Sequence, residues 1–366
     1  MFNTTNNHYV PRSYLDRFNT NHPLYKYVKD IKKYFPIKDC KSECSRDNIY
    51  TLKKQVSQQI VQLLFLAYEP NEIETQYLTY IINFINGTFA DFISVSIENK
   101  EAQEEINQVQ SKVNWVKELI KTQEDIFTHV YENAFYNFLD NITDDINSAS
   151  YLIKNDKDSY EEINAYFTFK VLSHLSKVYL KRLNNSLEYI NHEEDVEKLL
   201  DNIKTETKDT LNPVFDLVSY IVMQNLRTLS SLQKLDKQTE DIIADKDDRT
   251  NYIFLLIHLL ALRITSNILS RDYVIYLIKN NTNNAFITSD SPSCTMAVNN
   301  ELTYILPIND TLLMVLSNKK NRLNNIKKTV YDCNNHKFVK SINKIIFNHS
   351  YKCVYGEKLA LEQLNG

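Results

Sequence analysis

The stretch NNHYVPRSYLDRF, residues 6–18, carries the first side chains able to do chemistry. A histidine exchanges protons near neutral pH, so His8 can serve as a general acid or base. The competing reading is an imidazole hydrogen-bonded to backbone, holding an extended segment ahead of Pro11. Arg12, and Arg227 in MQNLRTL, carry planar donor forks suited to a phosphate or carboxylate. On a helix, Tyr220, Gln224, Arg227 and Ser231 share one stripe, and Phe215, Val218, Val222 and Leu229 form a separate apolar one. Gln224 and Arg227 are therefore expected together, away from the most apolar side. Asp290 ends AFITSD and precedes Ser-Pro, a place for a functional carboxylate and equally for turn chemistry. A structural Arg227–Asp290 pair, fixing a helix against a sheet, is the alternative for both residues.

Composition removes several activities. Only 3 glycines occur in 366 residues. Phosphate-cradling loops need glycines where backbone approaches the anion, so dinucleotide-binding and P-loop readings fail, as does an ordinary kinase. A G-x-S-x-G hydrolase elbow is also missing. Five cysteines include Cys40 and Cys44, but no matching Cys or His pair completes a zinc site nearby. They read as free thiols of a reducing cytoplasm. In NHEEDVEK, residues 191–198, the carboxylates are consecutive, so a helix would point them around its axis rather than at one metal. No metal and no cofactor is expected. The net charge of -4 creates no global field for nucleic acid. KNRLNNIKK, residues 320–328, is the best local basic patch.

These residues must be positioned by elements of two kinds. Near the start, LYKYVKD reads as a short half-buried strand. From about residue 55 the period turns helical, with Ile73, Tyr77, Tyr80, Ile81, Phe84 and Thr88 on one face. Trp115, Leu119, Ile126, Val130 and Phe138 repeat that spacing. Pro213 falls at a helix start, where its missing N–H costs little. YIFLLIHLLAL, residues 252–262, is too short to span a bilayer and reads as a buried core helix. MFNTTNNHYV lacks the pattern of a signal peptide, and a cytoplasmic protein without membrane contact is expected. After residue 270 the period returns to two. RDYVIYLIKN and NAFITSD read as a hairpin, LTYILPI and TLLMVLS as two further strands, and KSINKIIFNHSYKCVYG as a helix and closing strand.

The expected fold is α+β: a small, mainly antiparallel sheet built from both chain ends, with a large helical block inserted. The divisions are 1–54, 55–269 and 270–366, the first and last packing as one β-containing layer. The apolar helices either bury themselves within one chain or supply a homodimer interface.

HYVPRSYLDRF resembles the opening signature of a mostly bacterial family, Domain of Unknown Function 4238. LYKYVKD resembles its following strand, MQNLRTL its Gln-x-x-Arg-Thr helix, and FITSDSPS its Ser-Asp-x-Pro strand end. LPINDTLLMVLS and INKIIFNHSYKCVYG resemble its later segments. Leu229 stands where the family often has Pro, and Ile308 replaces a usual Leu. The resemblance spans nearly the whole chain and implies a fold outline and candidate residues rather than a mechanism. Its motifs contain His8, Arg227 and Asp290 as catalytic candidates, and Arg12, Gln224 and Ser289 as substrate-binding candidates. Two functions follow as expectations. One is a nuclease or phosphodiesterase-type effector of bacterial defence or conflict, acting on nucleic acid or a phosphorylated small molecule. There, Asp290 would orient His8 or bind a metal. The other is a non-catalytic module that binds a ligand or protein, with the motifs as structural locks.

Overall fold

A computed structural model describes residues 6–19, 22–47, 52, 54–88, 100, 104, 131–132, 136, 159–186, 213–271, 273–298, 300–318 and 330–364. The Trp115 stretch and residues 191–198 and 320–328 lie outside the described residues.

The chain opens with β1 (Asn6–His8), α1 (Arg12–Asp16), β2 (Tyr25–Val28), β3 (Lys33–Pro36) and β4 (Ser45–Asp47). Helices α2 (Gln58–Tyr68), α3 (Glu72–Asn86), α4 (Tyr160–Ser186), α5 (Pro213–Leu226), α6 (Leu229–Thr239) and α7 (Lys246–Leu269) follow. The last part holds β5 (Tyr273–Asn280), β6 (Thr288–Ser289), β7 (Cys294–Val298), β8 (Glu301–Pro307), β9 (Leu312–Asn318) and β10 (Val330–Cys333). It closes with α8 (His336–His349), β11 (Cys353–Gly356) and α9 (Lys358–Glu362).

The helices begin and end on local chemistry. Asn71 and Glu74 form a reciprocal capping box at the start of α3, and Gly87, with φ 76°, ends it. Glu74 is buried and also takes two bonds from Arg263 of α7, at 2.8 and 2.7 Å, and one from Tyr160 of α4. Burial raises its pKa, but these bonds and the Asn71 amide prevail and leave it below the usual value. In α4, Ile163, Phe167, Val171 and Leu175 recur on a buried stripe. The charged stretch before α7 is a cap: the Asp245 side chain accepts from Asp248 N–H, and Lys54 bridges both carboxylates. Helix α7 packs against α2, α3, α4, α5 and α6. It has the length and apolarity of a membrane span, yet most of that stretch is buried inside the fold.

The fold is α+β and mostly antiparallel. A four-stranded sheet in the order β3-β2-β11-β6 joins strands from both chain ends. A five-stranded sheet, β10-β5-β9-β8-β7, is antiparallel except for β10 beside β5. β1 and β4 make a short pair of their own. The β structure is thus divided, where one layer was expected. The reason lies in the alternation of the long strands. Ile275, Leu277, Leu312, Met314 and Leu316 face the helical core, whereas Tyr276, Ile278, Leu313 and Val315 face a second core. Phe286, Val339, Ile346 and Val354 share that second core. A sheet with apolar residues on both faces needs cover on both sides.

The expected hairpin of RDYVIYLIKN with NAFITSD is corrected. β5 pairs with β9 and β10, and only Thr288–Ser289 of the second segment is strand, paired with β11. The Asn280 side chain turns the chain away, donating to Asn284 O and accepting from Thr282 N–H.

Candidate functional site

The opening motif is anchored by Val10, Tyr14, Leu15 and Phe18, all buried. Its charged or proton-exchanging groups are His8, Arg12, Asp16 and Arg17, of which His8 and Arg12 are the site candidates. His8 ends β1 opposite Ser45 of β4. Its Nδ1 lies 3.1 Å from the Glu43 carbonyl oxygen. A carbonyl only accepts, so Nδ1 carries the proton and donates. In the neutral ring this leaves the lone pair on Nε2. Just beyond, Tyr9 N–H donates to the Cys44 carbonyl at 2.9 Å. Cys44 has φ 48°, a left-handed residue that bends the chain here. The Glu43 carboxylate is held in turn by Lys26, at 2.9 and 2.8 Å, and by the Tyr355 hydroxyl at 3.2 Å.

The structure brings Arg227 to His8. Arg227 follows the last residue of α5, and its Nη2 donates to the His8 carbonyl at 3.5 Å. It is buried, as is Gln224 one turn earlier, at 6% and 0% exposure. The expectation that both face away from the apolar side is overturned, because residues 214–224 of α5 are buried on every face. Nor does the stripe continue to Ser231 on the same helix. The Thr228 side chain accepts from Ser231 N–H and starts α6, so the chain breaks at Arg227–Thr228. Neither the amide nitrogen nor the amide oxygen of Gln224 has a hydrogen-bond partner.

The Arg227 charge reaches into the helical core. Burial, and then that charge, lower His258 to about 3, a neutral imidazole whose Nδ1 meets the Tyr77 hydroxyl at 3.0 Å. Sequence reasoning gave Glu43, Cys44 and Tyr355 no part in a site, and took His258 for an isolated core or surface histidine. A lone histidine among ten apolar residues signals a buried partner, but nothing in the chain identifies Tyr77 as that partner.

The other candidates are held elsewhere. The buried Asp290 carboxylate accepts from three successive amides, Tyr351 at 2.8 Å, Lys352 at 2.6 Å and Cys353 at 3.0 Å. Burial raises its pKa, the three amides and Lys29 draw it back, and it stays above the ordinary aspartate value. The part of orienting His8 is taken by the Glu43 carbonyl, and Asp290 forms its bonds with the α8–β11 turn rather than with Arg227. Ser289 is buried, its hydroxyl donating to Ser291 O at 2.8 Å and accepting from Ser291 N–H at 3.0 Å. Arg12 is half exposed and shared between Asp16 and Asp39, at 3.4 and 3.5 Å. Among the described residues, no group of three His, Cys, Asp or Glu side chains is placed to hold a metal ion.

A family model described as Protein of unknown function (DUF4238) matches residues 6–359. The match begins in β1 and ends in α9, so it includes every candidate site residue. No curated protein matches, and no solved structure does. With nearly the whole length matched, the chain belongs to the DUF4238 family.

Proposed function

We propose that the protein is a phosphodiester-cleaving enzyme of ribonuclease type, working through His8 with Arg227 as the phosphate-holding group. The observation that carries this reading is the treatment of one residue from two sides. The Glu43 carbonyl fixes the His8 ring through Nδ1, and Arg227 reaches the His8 carbonyl. A ring so tethered offers Nε2 as a base. In RNA the nucleophile is the neighbouring 2′-hydroxyl. Nε2 takes its proton, the 2′-oxygen bonds to phosphorus, and the 5′-oxygen leaves and takes up a proton. A guanidinium beside the phosphate offsets the charge gathering on its oxygens.

Asp290 and Ser289 favour a second reading, a non-catalytic binding module, because both are engaged with nearby backbone. One experiment separates the two. The full chain is incubated with RNA beside His8→Asn and Arg227→Lys. Asparagine can keep the bond to the Glu43 carbonyl while removing Nε2. Cleavage by the parent that both variants lose, at unchanged melting temperature, supports the enzyme. Equal behaviour of all three overturns it in favour of the module.

A further inference from the structure

We propose that Gln224 is a ligand-reading residue, recognising the base edge of a nucleotide whose phosphate lies on Arg227. This rests on the phosphate reading of Arg227 and narrows the substrate to nucleotides. Among the described residues, Gln224 stands apart from the other buried amides. Asn343 uses both ends, donating to Ala285 O at 2.9 Å and accepting from Ile287 N–H at 3.2 Å. Asn280 does the same within its turn. Asn164 and Asn251 each use one end, toward Ser266 and toward the carbonyls of Lys54 and Gln55. Gln224 is 0% exposed and uses neither. The neighbouring Asn225, by contrast, donates to Ser293 O at 3.0 Å. A buried amide with both ends idle costs stability, and an apolar side chain of the same length would avoid that cost.

The chemistry of the idle group says what it fits. A carboxamide presents a donor beside an acceptor in one plane, the complement of the paired donor and acceptor on a nucleobase edge. Arg227 lies three residues on, just past the last residue of the helix, with the fork that suits phosphate. A sugar phosphate would satisfy Arg227 and leave the amide idle; a nucleotide satisfies both.

The test titrates the full chain with adenosine, guanosine, cytidine and uridine 3′-monophosphates and with ribose 5-phosphate. It uses the parent protein and Gln224→Met. At least one nucleotide should bind the parent about tenfold more tightly than ribose 5-phosphate, roughly one hydrogen-bonding pair's worth. Gln224→Met should erase that preference, keep weak ribose 5-phosphate binding, and melt at a higher temperature than the parent. Equal binding of nucleotides and ribose 5-phosphate by the parent overturns the role of Gln224 alone, whether or not the variant folds. A lower melting temperature with the preference retained also overturns it. Failure of every phosphate to bind overturns the phosphate reading itself.

Discussion

The hydroxyl of Tyr14 meets that of Thr288 at 2.9 Å across 274 residues of chain. The same hydroxyl donates to the Pro307 carbonyl at 2.5 Å. Tyr14 has one proton to give, and the carbonyl can only accept, so Thr288 is the donor to Tyr14. One side chain of α1 thereby bolts the opening motif to β6 of the four-stranded sheet and to the end of β8 in the five-stranded one.

Removing that hydroxyl leaves a buried carbonyl and a buried threonine without it. Tyr14→Phe should cost about 1–3 kcal/mol of stability, read as a lower urea midpoint at unchanged slope. Adding Thr288→Val should cost less than its separate effect predicts, because the two groups share one bond. An unchanged midpoint for Tyr14→Phe would remove the bolt.

Asp290 makes a similar connection by charge. Its carboxylate accepts three amide protons from residues 351–353, ahead of and into β11. Asparagine offers one oxygen and turns an NH2 group toward donors. Asp290→Asn should lose at least about 2 kcal/mol of stability, while cleavage per folded molecule stays unchanged if the residue is architectural. A stable variant with cleavage abolished would return Asp290 to the chemistry.

Much of this fold can be read from periodicity. Tyr77, Ile81 and Phe84 are buried on one face of α3, and LYKYVKD forms the half-buried β2. LTYILPI and TLLMVLS become the paired β8 and β9, and Pro213 starts α5. Periodicity fails where two cores compete for one strand. RDYVIYLIKN has apolar residues on both faces, which names no partner, and its neighbour in sequence was the wrong choice. It fails also on α5, because a helix buried all round leaves its polar stripe nowhere to face but inward. Of the candidate residues, motif order left open which ones meet; the structure brings Arg227 to the His8 carbonyl and holds Asp290 on the α8–β11 turn. The reading of His8 as an imidazole bonded to backbone named no partner, and that the carbonyl is the one of Glu43 could not be read from the chain. Carbonyls carry no residue-type signal.

Gly356 ends β11 opposite Tyr25. A Cβ added there would stand 2.9 Å from Ile287 Cγ2 and 3.3 Å from its Cβ. Ile287 is fully buried in the second core and has little room to retreat. Gly356→Ala should therefore cost about 1–3 kcal/mol. Trimming the neighbour in a Gly356→Ala, Ile287→Ala double variant should be less destabilising than the two separate effects added together. Strict additivity in thermal or urea unfolding would show that the close approach is not the cause.

His258 should make the fold acid-sensitive. Its ordinary value is 6.5, and burial followed by the Arg227 charge lowers it to about 3 in the native protein. Between those limits the unfolded chain takes up a proton that the native chain refuses. Stability is fully present above pH 6.5 and falls as the pH drops toward 3, with a slope approaching about 1.4 kcal/mol per pH unit. Asp290 works in the opposite direction near its own range, since its native value is raised. The contribution of His258 must therefore be read as a difference. His258→Gln keeps a polar partner for the Tyr77 hydroxyl and cannot titrate. Urea unfolding of both proteins from pH 7 to pH 4.5 should show the parent losing ground against the variant as pH falls. A difference that stays constant across that range would mean that the imidazole accepts its proton inside the fold, and that Arg227 does not reach it.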